Sequence, residues 1–175
     1  MVDKIMFSSE NKEWETPQWL FDELNEEFKF NIDVAATIDN FKCPVFLTPE
    51  EDGLNEPWGI IQPNRYIPGR VFLNPPYGEP EQPCKLKCDK KRCVKRGWCA
   101  TEYIPGVIDW IAKAVHEVEI GNSQFVVMLL PARTDTSWFH NYIYNKHEVR
   151  FIRGRLKFVG AKNSATFPSM IVVIK

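Results

Sequence analysis

Eight residues constrain this chain more than any others: Val71-Phe72-Leu73-Asn74-Pro75-Pro76-Tyr77-Gly78. Val71 to Leu73 form a continuous apolar run, the pattern of a strand buried on both faces, and two successive prolines lack the N–H groups that a sheet ladder needs. The strand must stop at Asn74. That puts an amide at a strand's carboxyl edge, where open α/β sheets bind ligands. The prolines stiffen the turn, so the Asn74 amide oxygen, a backbone carbonyl and the Tyr77 ring converge on one planar group. Such a site suits a planar amine like the exocyclic nitrogen of adenine, whose lone pair is delocalised into the ring. Accepting both of its hydrogens, at Asn74 and at the Pro75 carbonyl, favours a pyramidal, more nucleophilic nitrogen, with Tyr77 stacked on the base.

A chain of 175 residues with 44% hydrophobic content can bury one sizeable core and is too short for two comfortable domains, so residues 1–175 read as a single domain. The net charge of −1 gives no global pull toward nucleic acid, and any DNA affinity must come from a local patch. Residues 1–10 have no apolar run of signal length, and no stretch approaches the ~20 apolar residues of a membrane span. A soluble, cytoplasmic protein is expected, with no membrane and no obligatory protein partner.

The periodicity predicts an α/β fold. Thr16 reads as an N-cap and Pro17 as the first helical position, ahead of Trp19, Leu20, Leu24 and Phe28 at helical spacing. Phe30 to Val34 reads as a first strand, ending in Asp33-Val34-Ala35-Ala36, and Pro44 to Leu47 as a second. Pro105 to Ile120 is a helix stopped by Gly121, Gln124 to Leu130 a strand buried on both sides, and Trp138, Phe139, Tyr142 and Ile143 lie on a helix capped by Thr134 or Asp135. Val149 to Ile152 and Met170 to Ile174 are the last strands. Cys43, isolated before Pro44, reads as a small core residue.

Asn74-Pro75-Pro76-Tyr77 matches the catalytic motif of amino-methyltransferases that use S-adenosylmethionine, and the wider pattern resembles the phage-type DNA N-6-adenine methyltransferases, the phage Dam family. The resemblance is carried by Glu13 to Pro17, Ile32 to Ala36, Glu51 to Leu54, Val71 to Gly78, Pro131 to Thr136 and Ser164 to Ser169, spanning nearly the whole chain. It implies a Rossmann-like methyltransferase fold: a mostly parallel, doubly wound sheet with an antiparallel final strand. It also implies site-specific methylation of adenine in DNA, with Asn74, Pro75, Pro76 and Tyr77 catalytic. On the cofactor side it implies Trp14, Thr16 and Pro17 at the amino acid end of S-adenosylmethionine, Asp33 and Ala35 at the first strand's end, and Asp52, Gly53 and Leu54 around its adenine. Ala35-Ala36 stands where most methyltransferases carry a Gly-rich loop. The same motif also serves methylation of RNA or of protein glutamine, and a noncatalytic zinc-stapled DNA-binding module is the reading from another class.

Residues 79–104 form a Cys-rich basic insert. Cys84, Cys88, Cys93 and Cys99 are interleaved with Lys85, Lys87, Lys90, Lys91, Arg92, Lys95 and Arg96, against one anion, Asp89. Four cysteines in a short polar loop, without a signal peptide, favour a structural zinc site over disulfides, although the spacings are not the common Cys-x2-Cys pairs. Lys90, Lys91 and Arg92 are then candidates for DNA phosphates. Arg133 reads either as a DNA contact or as the partner of Asp135 or Glu148. Arg153, Arg155 and Lys157 alternate with Leu156 and Phe158, as a basic hairpin arm along DNA or as a charged edge guarding the sheet.

Overall fold

The computed structural model describes residues 14–85 and 88–175, so Glu13 and Lys87 lie outside the described residues. Helix α1, Gln18–Phe28, leads into β1 (Ile32–Asp33), β2 (Val45–Phe46), a separate hairpin of β3 (Ile60–Gln62) and β4 (Arg65–Ile67), and β5 (Gly69–Leu73). The insert contributes a short helix, α2 (Lys91–Arg96). Helix α3 (Val107–Glu119), β6 (Ser123–Pro131), a π-helix (Phe139–Ile143), β7 (Glu148–Phe151) and β8 (Ser169–Ile174) complete the chain.

One six-stranded sheet runs in the order β2-β1-β5-β6-β8-β7. The first three pairings are parallel, and β8 runs antiparallel to both its neighbours, β6 and β7. The expected mostly parallel sheet with an antiparallel final strand is present. Buried strands alternate between two layers. Val71, Leu73, Val126 and Met128 face α3 and the π-helix, packing with Trp58, Trp110 and Ile111. Phe72, Val127 and Leu129 face α1, packing with Leu20, Phe21, Leu24 and Phe158. This two-sided burial is why β5 and β6 read as continuous apolar runs. Cys43 is buried in the second layer, as expected of a core residue.

Several elements differ from the sequence expectation. Helix α1 starts one residue later, with Pro17 at the N-cap and no side chain capping it, so Thr16 is not a cap. Helix α3 starts at Val107, because Gly106 is still extended and the Asp109 carboxylate reaches back to accept its N–H at 2.7 Å. Thr134 and Asp135 sit in a turn before the π-helix, and its wider turn carries Trp138, Phe139 and Ile143 together into the core. Residues 152–168 form no hairpin strand. They are pinned instead by backbone bonds from Val159 to Glu15 and from Ala165 to Leu156, while Leu156 and Phe158 turn inward and Arg155 and Lys157 outward.

Candidate active site

Strand β1 has β2 on one side and β5 on the other, so the chain reverses its winding between β1 and β5. Ligands of open α/β sheets bind at the carboxyl ends flanking such a switch. Asp33 and Phe72 are paired in register, which brings Asp33 to Ala35 and Asn74 to Tyr77 to the same edge.

Asn74 is fixed there from a distance in sequence. Its Nδ2 donates to the Trp14 carbonyl at 2.7 Å and to Thr16 Oγ1 at 3.0 Å. With both amide hydrogens used, the amide orientation is set and Oδ1 is left as the acceptor. The Tyr77 hydroxyl lies 2.7 Å from Asn74 Oδ1 and 3.1 Å from the Leu129 carbonyl, so one proton has two acceptors. Burial pushes the Tyr77 phenol well above its ordinary value and keeps it a neutral donor. Its ring packs with Trp14, Phe158 and Phe167, at centroid separations of 6.2, 6.4 and 5.7 Å. A Glu15–Val159 bridge ties the Trp14 to Thr16 segment across this turn. Phe158 and Phe167 were not candidates from sequence; the inward alternation of Leu156 and Phe158 was the available signal.

The other side of the switch is more closed. Asp33 is 3% exposed, and its oxygens accept the N–H of Lys42 at 3.1 Å and, weakly, of Ala35 at 3.4 Å. Burial raises its carboxyl to about 6, because two amide bonds offset only part of the lost hydration. Asp52 has a positive φ of 55° and accepts from the Leu54 N–H and the Asn55 amide, organising its own turn. A Cβ on Gly53 would stand 2.2 Å from the Val34 carbonyl, so its bareness serves the packing of that turn on the end of β1. Trp58, fully buried, donates its Nε1–H to Gly53 O at 2.6 Å. Pro17 is buried at the head of α1, with its carbonyl accepting from Leu20 and Phe21.

In the insert, the sulfurs of Cys84, Cys88, Cys93 and Cys99 all lie within 4.8 Å of one another. Cys84 and Cys93 are 3.6 Å apart, close to the roughly 3.8 Å between sulfurs that share a tetrahedral zinc at about 2.3 Å. The Lys90 N–H brings Cys88 down to about 7, whereas burial pushes Cys93 up to about 12. Ionising all four together calls for a cation among them. Beneath them Glu81, 5% exposed, accepts from Arg96 at 2.8 and 3.2 Å and from Arg92 at 3.3 Å, with the Cys84 and Cys93 sulfurs 3.9 Å away. No sequence pattern singled out Glu81. Its backbone pairs with Ile104, and the Val107 N–H bonds to Gly78 O, closing the insert at its base.

Of the remaining cations, Lys90, Lys91, Arg92, Arg153 and Arg155 are exposed, and Arg155 donates to Thr166 O at 2.8 Å. Arg133 meets Glu79 at 3.5 Å, not Asp135 or Glu148; Glu148 pairs with Arg150.

Sheet order and Asn-Pro-Pro-Tyr edge together define a Rossmann-like methyltransferase fold. The family model described as DNA N-6-adenine-methyltransferase (Dam) matches residues 5–175, and the chain belongs to that family. It is 28% identical over 149 residues to the DNA N-6-adenine-methyltransferase of Haemophilus phage HP1 (strain HP1c1), covering 83% of this chain and 65% of that protein. It is 27% identical over 144 residues to the DNA N-6-adenine-methyltransferase of Escherichia phage T1, covering 82% of this chain and 45% of the relative. The chain thus spans 65% and 45% of the lengths of these two curated relatives. No solved structure shows a significant match. Among the described residues, no helix is long and apolar enough to cross a membrane.

Proposed function

We propose that this chain transfers a methyl group from S-adenosylmethionine to the exocyclic amine of adenine in DNA. The observation that carries this reading is the Asn74 amide, whose two hydrogens are held by Trp14 O and Thr16 Oγ1 at the switch-point edge. S-adenosylmethionine supplies a sulfonium methyl. The target base, extruded from the duplex, presents its amine to Asn74 Oδ1 and the Pro75 carbonyl, while Pro76 keeps the turn stiff. Oδ1 has two lone pairs, so it can accept the amine beside the Tyr77 hydroxyl, and the half-buried Tyr77 ring offers its remaining face to the base. The nitrogen would attack the methyl carbon in line as the S–C bond breaks, with S-adenosylhomocysteine as the leaving group, and would then lose its proton to solvent, so no strong general base is needed.

The cofactor side comprises Asp33 and Ala35, the Asp52 to Leu54 turn, and Trp14, Thr16 and Pro17. The fit rests on Asp33: a buried carboxyl, raised to about 6 with two backbone donors, gains from further donors such as ammonium or hydroxyl groups. Cys84, Cys88, Cys93 and Cys99 would hold a structural zinc, and Lys90, Lys91, Arg92, Arg133, Arg153 and Arg155 would meet DNA phosphates. Residues 1–175 act as one methyltransferase domain with 79–104 as its insert. Reduced thiols and a DNA substrate suit the cytoplasm of a bacterial host.

Labelled S-adenosylmethionine, offered side by side with adenine-containing DNA, RNA and protein, tests the reading. N6-methyladenine in DNA, identified by mass, is the expected product. Transfer to RNA or protein alone would replace the substrate, and no calorimetric binding of S-adenosylmethionine would leave a noncatalytic module.

A further inference from the structure

We propose that Trp98 is a base-stacking residue, through which the insert grips an unstacked nucleobase of the DNA being methylated; this rests on the reading of DNA as substrate. Trp98 is 38% exposed, yet it is not loose. The Arg96 guanidinium lies over its ring at 3.6 Å from the centroid, and Arg96 Nε donates to the Trp98 carbonyl at 2.9 Å. The same guanidinium donates twice to the buried Glu81 carboxylate, at 2.8 and 3.2 Å. Between the two residues Gly97, at φ 78°, turns the chain through a conformation that favours glycine. The ring therefore stands on a brace that ends in the insert's interior.

Holding a large apolar ring still while leaving it wet forgoes both burial and side-chain freedom. The arrangement makes sense where a ligand completes the burial, because a preordered ring loses little on binding. Charge identifies the ligand. Arg92 and Arg96 are committed to Glu81 and Lys90 Nζ lies 3.9 Å from Cys84 Sγ, but Lys91 and Lys95, which precede Trp98 on α2, are exposed, and no carboxylate partner is found for them among the described residues. An exposed aromatic ring in an insert that carries exposed cations suits a flat base flanked by phosphates. A paired base inside a duplex has both faces covered. A free face exists in a single strand, or beside the gap left when an adenine is extruded.

Equilibrium binding of labelled oligonucleotides provides the test, using single-stranded DNA, intact duplex, and duplex with one abasic gap. Trp98→Ala is expected to weaken the single-stranded and gapped forms by roughly 5- to 150-fold, the range of one base stack on an aromatic, and intact duplex much less. Trp98→Phe should keep most of the affinity. The salt slope should survive Trp98→Ala, which removes no charge, and fall by roughly one unit for each phosphate no longer neutralised in Lys91→Glu or Lys95→Glu. Bound metal and the melting transition report whether Trp98→Ala leaves the insert folded; if it does not, Trp98→Phe compared with Trp98→Leu decides, an equal loss in both overturning the proposal. Unchanged affinity in Trp98→Ala, an equal loss on all three DNA forms, or tighter binding of the matching RNA would also overturn it. A wild-type protein that methylates DNA while Trp98→Ala binds normally defeats the stacking role alone. A wild-type protein that neither binds nor methylates DNA defeats the substrate reading beneath it.

Discussion

The two stretches on either side of Gly78 are held in opposite ways. In the turn from Asn74 to Tyr77, one hydrogen bond is internal, Tyr77 to Asn74, and the other partners are far off in the chain: Trp14, Thr16 and Leu129 by hydrogen bonds, Phe158 and Phe167 by ring contacts. In the insert that follows, apart from the exposed Glu79–Arg133 pair at its base, the contacts named above stay local: Glu81 with Arg92, Arg96 and Ile104, Cys84 with Cys93 and Ala100. The turn inherits its geometry from the whole domain, whereas the insert must supply its own. A polar loop with few buried side chains does that with the Glu81 ion pairs and a cluster of four cysteines that could hold a metal ion.

The difference is sharpest under metal removal. Ligation by four thiolates is worth about 10–16 kcal/mol of local folding. Chelation is therefore expected to expose Lys90 to Arg96 to trypsin while the domain's melting transition moves little. A collapse of both together would show that the two regions form one cooperative unit. Next in size, Asn74→Ala should lower turnover by roughly 100- to 1000-fold, or about 2.7–4 kcal/mol, by analogy with the loss of an oxyanion-hole donor. It should leave S-adenosylmethionine affinity and the insert's protease resistance intact. Turnover above half of wild type would remove Asn74 from the chemistry.

Asp33 tests the domain-held side through pH. Its carboxyl is raised by burial from 3.8 to about 6, so the native state binds a proton more readily than the unfolded chain. The contribution of Asp33 to stability should be fully present below about pH 4 and be lost, by up to ~3 kcal/mol, as pH rises to about 6, at 1.36 kcal/mol per unit. Asp33→Asn should flatten that slope in denaturant titrations, and saturating S-adenosylmethionine should flatten it in wild type. Equal pH dependence in wild type and Asp33→Asn would make Asp33 an ordinary loop carboxylate. The smallest effect belongs to Thr16, 2% exposed and bonded to Asn74 Nδ2. Thr16→Val removes one hydrogen bond, about 0.5–1.5 kcal/mol, so kcat should fall roughly two- to twelve-fold with rescue by Thr16→Ser. A change confined to KM for S-adenosylmethionine would return Thr16 to the cofactor.

Local signals carried much of this architecture. A buried apolar run stopped by Pro75 and Pro76 marks β5 and its edge, Gly121 ends α3, and alternation orients Leu156 and Phe158. What escaped depends on partners distant in sequence. Thr16 looks like a cap because the local pattern favours one, but its hydroxyl is drawn to Asn74 instead. Arg133 finds Glu79, at the insert's base, ahead of nearby Asp135. Glu81 gains meaning only when α2 folds Arg92, Arg96 and Cys93 back over it. The β3–β4 hairpin was hidden in a stretch whose alternation, Ile60 to Ile67 about Pro63-Asn64, is short and mostly exposed.

The closure at the insert's base carries an evolutionary consequence. Because Gly78 O is bonded to Val107 N, and Glu81 to Ile104 in both directions, the chain leaves β5 and enters α3 through a fixed doorway. Lengthening or exchanging what lies beyond that doorway costs only the slowly growing entropy of a longer loop and does not shift Asn74. Under the proposed reading of the insert as a DNA contact, its sequence can change while the closure at its base keeps the Asn74 edge in place.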